Sequence, residues 1–235
     1  MSVSDLNRSV RVLSFDLYGT VVDMQQGLTE AVTPFLRQRG WSGRPEALVT
    51  WWRRTHFENS MIDALINKGH TPYREIGQRA LTYTLQRARI PHSTDDVAYL
   101  VAQIEALRPF PDVVPALTTL KRYYKLVILS NGDRDMLENA KPHLGIEFDA
   151  LISVQEAGYF KPHFATYREM AEILATEPAA IMHVANHPFD CIGAKAYGMR
   201  AAYIDRRQRP FGDTPHQPDL IVADFSELAA KLGPS

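Results

Sequence analysis

A single cysteine, Cys191, stands in 235 residues, so no disulfide can form within the chain. That fits a reducing compartment, where thiols stay reduced. No apolar run approaches the roughly 20 residues a membrane-crossing helix needs. The opening Met1-Ser-Val-Ser-Asp-Leu-Asn-Arg8 has none of the apolar core of a signal peptide. A soluble, cytoplasmic protein is expected. Neither sign of charge dominates, because 26 Lys and Arg stand against 27 Asp and Glu. Such a balance gives no basic stripe for nucleic acid and no cationic face for an anionic membrane. Repeats and low-complexity segments are also absent. What remains is an ordinary globular composition, 45% hydrophobic and 23% charged. Its length suits one large domain or a core with a substantial insertion.

The chain is organised around Val12-Leu-Ser-Phe-Asp-Leu-Tyr-Gly-Thr20. Val12, Leu13 and Phe15 read as a buried strand, which breaks at Asp16 into a turn containing Gly19. A carboxylate at the end of a buried strand is where an open α/β sheet presents ligands, although an Asp there can also simply start a turn. After this strand the pattern turns helical. Leu28, Val32, Phe35 and Leu36 fall at helical spacing, as do Leu48, Trp51, Trp52 and Phe57. Ile76 to Leu85 and Val97 to Leu107 continue the pattern, with Asp95 and Asp96 marking a helix start. Four or five helices are predicted here. The stiff Arg108-Pro-Phe-Pro-Asp112 then ends the insertion.

From there strands alternate with helices. Strands are predicted at Lys125 to Leu129, Ala150 to Ser153, Ala180 to Val184, Ala201 to Ile204 and Leu220 to Val222. Helices are expected at Met136 to His143, Phe164 to Ala175, Cys191 to Tyr197 and Phe225 to Leu232, and Arg206 to Pro218 reads as an exposed loop. Alternation of this kind predicts a parallel sheet covered on both faces. The fold class is therefore α/β. In a parallel sheet the strand ends share one edge, and polar residues gather there: Asp16, Ser130-Asn131, and Ala185-Asn186-His187-Pro-Phe-Asp190. Lys161-Pro162 lies between the last two. Each is weak alone; together they form a candidate site.

These residues resemble the haloacid dehalogenase superfamily, and within it the L-2-haloacid dehalogenases. Asp16, Ser130, Lys161-Pro162 and Asp190 match its four motifs. The resemblance implies a Rossmann-like core at 1–22 and 109–235, with a helical cap domain at 23–108. It further implies hydrolysis of small (S)-2-haloacids to 2-hydroxy acids without metal or organic cofactor. Asp16 would attack the halogen-bearing carbon, expel halide and form an ester that water then hydrolyses. Lys161 and the hydroxyls of Thr20 and Ser130 would favour the ionised Asp16. Arg53 would cradle the halide with Asn131 and Phe189. Ser130 would bind the substrate carboxylate with Lys161 supplying charge. Tyr18 and Tyr167 would line the site, though Tyr167 also suits a core-facing helix position. Asp190 would orient Lys161 and, with the loop through Asn186, position the water. The partners implied are a 2-halocarboxylate, a halide and a second copy of the chain in a homodimer.

Departures matter as much. Phosphatases of the superfamily carry a second Asp where this chain has Tyr18, and an acidic pair where it has Ala185 and Asn186 beside a lone Asp190. Mg²⁺ prefers several hard oxygen ligands, so the phosphatase reading weakens, and Lys161 would be free to serve an anionic substrate. His187 stands where the subfamily often has a serine-rich run. Imidazole titrates near pH ~6.5 and suits a general base, but a polar wall residue is equally compatible. His183 and His187 are four apart, yet strand and loop placement does not converge them on a metal. Cys191 at a helix start reads as a packing residue. Of Trp51 and Trp52, adjacent on a helix, at most one readily faces the site.

Overall fold

The computed structural model describes residues 3–66 and 69–233. Met1, Ser2, Pro234 and Ser235, at the expected core's two ends, lie outside the described residues, as do Asn67 and Lys68 in the expected cap. Six strands follow the expected positions: β1 (Val12–Phe15), β2 (Lys125–Ser130), β3 (Ala150–Ser153), β4 (Ile181–Ala185), β5 (Arg200–Ile204) and β6 (Leu220–Val222). They form one sheet in the order β3-β2-β1-β4-β5-β6, and every pairing is parallel. The order reverses at β1, which pairs Val12 with Lys125 of β2 on one side and with Ile181 of β4 on the other. The crevice beyond that reversal is where doubly wound sheets hold ligands. Asp16 follows β1 directly, so the topology puts it there.

Helices cover both faces, as strand β1 makes visible. Its side chains alternate. Phe15 is fully buried and stacks on Phe225, 5.7 Å between centroids. Ser14 faces the opposite way, its Oγ 3.0 Å from Met170 Sδ and 3.1 Å from His183 Nδ1. In chain order the helices are α1 (Val3–Ser9), α2 (Met24–Gln38), α3 (Pro45–Ile66), α4 (Tyr73–Arg87), α5 (Thr94–Ala102), α6 (Val113–Leu120), α7 (Arg134–Ala140), α8 (Phe164–Ile173), α9 (Pro188–Ala196) and α10 (Phe225–Leu232). Phe225 opens α10 on one face and Met170 lies in α8 on the other. Burying a side chain like Phe15 contributes about 1.5–3 kcal/mol. None of the described helices is long and apolar enough to cross a membrane.

Helices α2 to α5 pack on one another between two linkers that run side by side. Val22 bridges Pro109, the Asp23 N–H donates to the Arg108 carbonyl and the Phe110 N–H to the Val21 carbonyl. Asp23 also caps α2 through Gln26 N–H. At α5, Ser93 and Asp96 form a reciprocal capping box, so the start signal lies one residue ahead of the helix. Trp52 is buried and donates to the Gly77 carbonyl, whereas Trp51 is about half exposed.

Two differences from expectation have local causes. Helix α1 has one buried anchor among its described side chains, Leu6, and seven residues are too few for a sustained periodic signal. Helix α9 begins at Pro188 rather than Cys191, because a proline fits the first helical position, where no N–H is needed. Asp190 therefore sits in a helical first turn. Cys191 packs, with its thiol buried against the Ala185 and Ala202 carbonyls and its pKa pushed well up by burial and then by Asp190.

Candidate active site

Three charged side chains with almost no solvent exposure meet at the sheet edge. Lys161 Nζ donates to Asp16 Oδ1 at 2.9 Å, to Asp190 Oδ2 at 2.7 Å and to the Leu129 carbonyl at 2.9 Å. An ammonium has three protons, and all three are engaged. This corrects the expectation that Lys161 is free for an anionic substrate: it is held inside the protein between two carboxylates. Burial disfavours its charge, but Asp16 and then Asp190 overcome that and raise its pKa. Burial likewise opposes ionisation of Asp16. Lys161, then His187 and Thr20, outweigh it and hold the Asp16 carboxyl far below the ordinary carboxylate range. Asp190 is also held low, with burial opposed by His183 and Lys161.

The second oxygen of Asp16 has different company. Oδ2 accepts from Thr20 Oγ1 at 2.7 Å and lies 3.2 Å from His187 Nδ1. Thr20 Oγ1 in turn accepts the Asn186 N–H, and Asn186 Nδ2 donates to the Gly19 carbonyl. Gly19 has φ +88°, and a Cβ there would stand 3.1 Å from His187 and 3.2 Å from Arg53. The turn requires glycine, and a side chain there would also crowd those two groups.

Asp190 is fixed from behind. Tyr167 donates to its Oδ1 at 2.7 Å, and His183 Nε2 lies 3.0 Å from the same oxygen. Tyr167 is fully buried. The expectation that it lines the site gives way to the core-facing alternative: it braces Asp190. Ser130 is also fully buried, its Oγ accepting the Gly132 N–H, and among the described residues it makes no hydrogen bond to Asp16. The expected Ser130 support of the Asp16 charge is therefore absent, because the tight turn after β2 draws its side chain back onto the backbone.

A cavity of about 640 Å³ opens over Asp16 between the sheet edge and helices α2 to α4. Tyr18, Arg53, Asn131, His187 and Phe189 all reach it. Asn131 spends its carbonyl on the Lys161 N–H, leaving its amide NH₂ as the donor end. Arg53 Nη1 donates to Gln25, while its buried Nε has no partner among the described residues. Phe189 packs on Phe57, 4.5 Å between centroids. Neither Trp51 nor Trp52 lines this wall.

Several wall residues carried no warning in the sequence. Tyr73 stacks on Tyr18 at 5.6 Å and on His56 at 3.9 Å. It is placed by Asp133, which precedes α7 yet caps a different helix. Its carboxylate accepts the Tyr73 and Arg74 N–H groups at 2.7 and 3.0 Å, the open amides of α4. Asp133→Ala should therefore lower stability by about 1–2 kcal/mol and raise KM, read by urea unfolding and by kinetics. An unchanged KM would show that Tyr73 is placed without it. Arg207 and Arg209, in the loop after β5, also reach the wall. A signal did exist for them, because β5 ends on the same sheet edge as β1 and β4.

Comparison with known proteins accounts for this arrangement. The family described as haloacid dehalogenase-like hydrolase matches residues 10–198. An (S)-2-haloacid dehalogenase of Xanthobacter autotrophicus is 32% identical over 84% of this chain and 76% of its own. Haloacetate dehalogenase H-2 of Moraxella sp. (strain B) is 28% identical over 92% of this chain and 94% of its own. A solved structure of L-2-haloacid dehalogenase from Xanthobacter autotrophicus with chloropropionic acid covalently bound superposes with a TM-score of 0.83. It is 28% identical and covers 94% of this chain and 97% of that one. With its motifs brought to one sheet edge and most of its length matched, the chain belongs to the haloacid dehalogenase-like hydrolases.

Proposed function

We propose that this protein hydrolyses small (S)-2-haloacids to 2-hydroxy acids, with residues 23–108 as a cap domain over a core formed by 1–22 and 109–235. The observation that carries this is the asymmetry of Asp16. Oδ1 is held by buried Lys161, while Oδ2 faces His187 on the cavity wall. Oδ2 is then the attacking atom. It forms a bond to the substrate's second carbon, in line with the departing halide, and the configuration inverts. Arg53, with Asn131 and Phe189 beside it, meets the developing halide charge. The Asn131 amide is the group proposed for the substrate carboxylate, since Ser130 is fully buried and does not line the cavity.

Hydrolysis reverses the roles. Once Oδ2 is esterified, Oδ1 is the carbonyl oxygen, and Lys161 already donates to it. Water attacks the carboxyl carbon, Lys161 stabilises the oxyanion, and the bond to Oδ2 breaks to release the hydroxy acid. His187 donates through Nδ1 in the resting site, which leaves Nε2 to take the water's proton. Asn186 and Asp190 hold the surrounding frame. His187→Gln is expected to slow kcat by about 100-fold or more and to trap the ester, visible as an added substrate mass on the intact protein. Slow turnover without that adduct would assign His187 to the first step instead.

The deciding test is halide release from chloroacetate and both 2-chloropropionate enantiomers with EDTA present. Release from chloroacetate and the (S) enantiomer alone is expected. No release, with phosphatase activity appearing on Mg²⁺ addition, would overturn the reading. A cytoplasmic homodimer completes the proposal. Exposed Ile62, Leu65 and Ile66 on α3 offer an apolar face for pairing, and light scattering reads the mass directly.

A further inference from the structure

The loop after β5 is built, not loose. Arg206 makes a two-pronged pair with Asp112, 3.0 and 2.9 Å, and lies over the Phe110 ring at 4.0 Å. Asp205 accepts the Arg209 N–H at 2.9 Å, closing a turn in which Gln208 adopts φ +51°. A non-glycine residue in the left-handed region persists only where its surroundings demand it. The consequence of this turn is that Arg207 and Arg209 both reach the wall of the Asp16 cavity.

Neither guanidinium has an ion pair among the described residues, although Arg206 between β5 and them is paired with Asp112. Arg207 stands near enough to Arg53 for its charge, after burial, to lower the Arg53 pKa. The cavity therefore gathers three unpaired guanidinium groups. Of the two acids on its wall, Asp16 is already neutralised by Lys161, which leaves Glu46 alone against the three. Arg54, a fourth arginine there, is paired with Glu58. Arg207 and Arg209 are exposed, so they stand at the mouth of the cavity, where an anion entering it would meet both charges.

The space is also larger than the proposed reaction needs. The cavity of about 640 Å³ opens to solvent, and a halopropionate fills only a fraction of it. Its single carboxylate is met by the Asn131 amide, and its halide by Arg53. The loop arginines are left over. We propose that Arg207 and Arg209 bind a second carboxylate, so that the preferred substrates are 2-halodicarboxylates, with the halogen-bearing carbon at Asp16 and the distal carboxylate at this arginine pair. This rests on the dehalogenase reading above.

The test compares kcat/KM for (S)-2-chloropropionate with the 2-chloro derivatives of succinate, glutarate and adipate, in wild type, Arg207→Gln, Arg209→Gln and Arg207→Lys. At least one dicarboxylate should exceed chloropropionate in the wild type. Either Gln variant should lower the dicarboxylate-to-monocarboxylate ratio by about 10- to 100-fold, the worth of a charge-assisted contact. Arg207→Lys should keep most of the ratio. A wild type without dicarboxylate preference overturns the proposal. So does a parallel fall on all substrates, which would make the arginines a general attractor of anions. Calorimetry with unhalogenated succinate and glutarate separates the two readings. If no haloacid turns over but the diacid binds and Arg207→Gln abolishes that binding, the subsite stands and the dehalogenase reading falls. If neither diacid binds, the subsite falls.

Discussion

Asp16→Asn should reduce halide release by at least about 10,000-fold, the scale on which nucleophile removal acts. The amide lacks the charge that Lys161, His187 and Thr20 sustain in the wild type. It also leaves Lys161 Nζ facing a neutral partner at Oδ1, while Asp190 still holds the ammonium. Folding is therefore expected to survive, and loss of turnover can be assigned to chemistry. No ester should form on the variant, so substrate incubation leaves its intact mass unchanged. Residual turnover in protein shown by peptide mass to retain Asn at this position would sink Asp16 as the nucleophile.

Lys161→Met should destabilise the fold by about 3–5 kcal/mol at neutral pH, because breaking a buried ion pair leaves uncompensated charge behind. Asp16 and Asp190 would then be two like charges without their common partner. The pH dependence carries the sign. In the wild type both carboxyls are depressed. Their contribution is present above the unfolded Asp value near ~3.9 and is lost as pH falls through the folded values. Lys161 is raised, so its contribution is complete below the unfolded value near ~10.4 and is lost as pH rises through the folded one. The wild-type triad is thus flat in stability between about pH 4 and 10. In the variant burial is opposed only by His187 and Thr20 at Asp16 and by His183 at Asp190, so both carboxyls rise and its stability should gain on the wild type's as pH falls from 8 to 5. Unfolding midpoints across that range would show it, and parallel curves for the two proteins would mean that the triad is not the coupled unit its distances imply.

The strand-end positions were legible because each is a local event. A buried apolar run that stops at a polar residue reads the same way wherever it occurs, and β1, β2 and β4 each end so. The parallel sheet then brings Asp16 and Asn186 to one edge, and Lys161 reaches Asp16 from 145 positions away. Asp133 was not legible. As a residue preceding α7 it has the sequence of an ordinary cap, and only the approach of α4 gives its carboxylate another helix to hold. Arg207 and Arg209 were legible only in part, through the strand edge that β5 shares with β1 and β4. Their loop looks like solvated charge, and their place on the cavity wall depends on Arg206 finding Asp112, 94 positions earlier.

By itself the sequence determined the periodicities, and through them the α/β class, the helical insertion and the strand ends at which chemistry gathers. Hydrophobic alternation and helix spacing act over a few residues and need no partner to be read. Tertiary structure alone decided how each polar group is occupied. Lys161 proved to be spent on three internal acceptors, Tyr167 braces Asp190 from the core, and Ser130 is turned onto its own loop. A donor's partner depends on which buried acceptors the fold brings within 3 Å, and burial makes leaving any of them unpaired expensive.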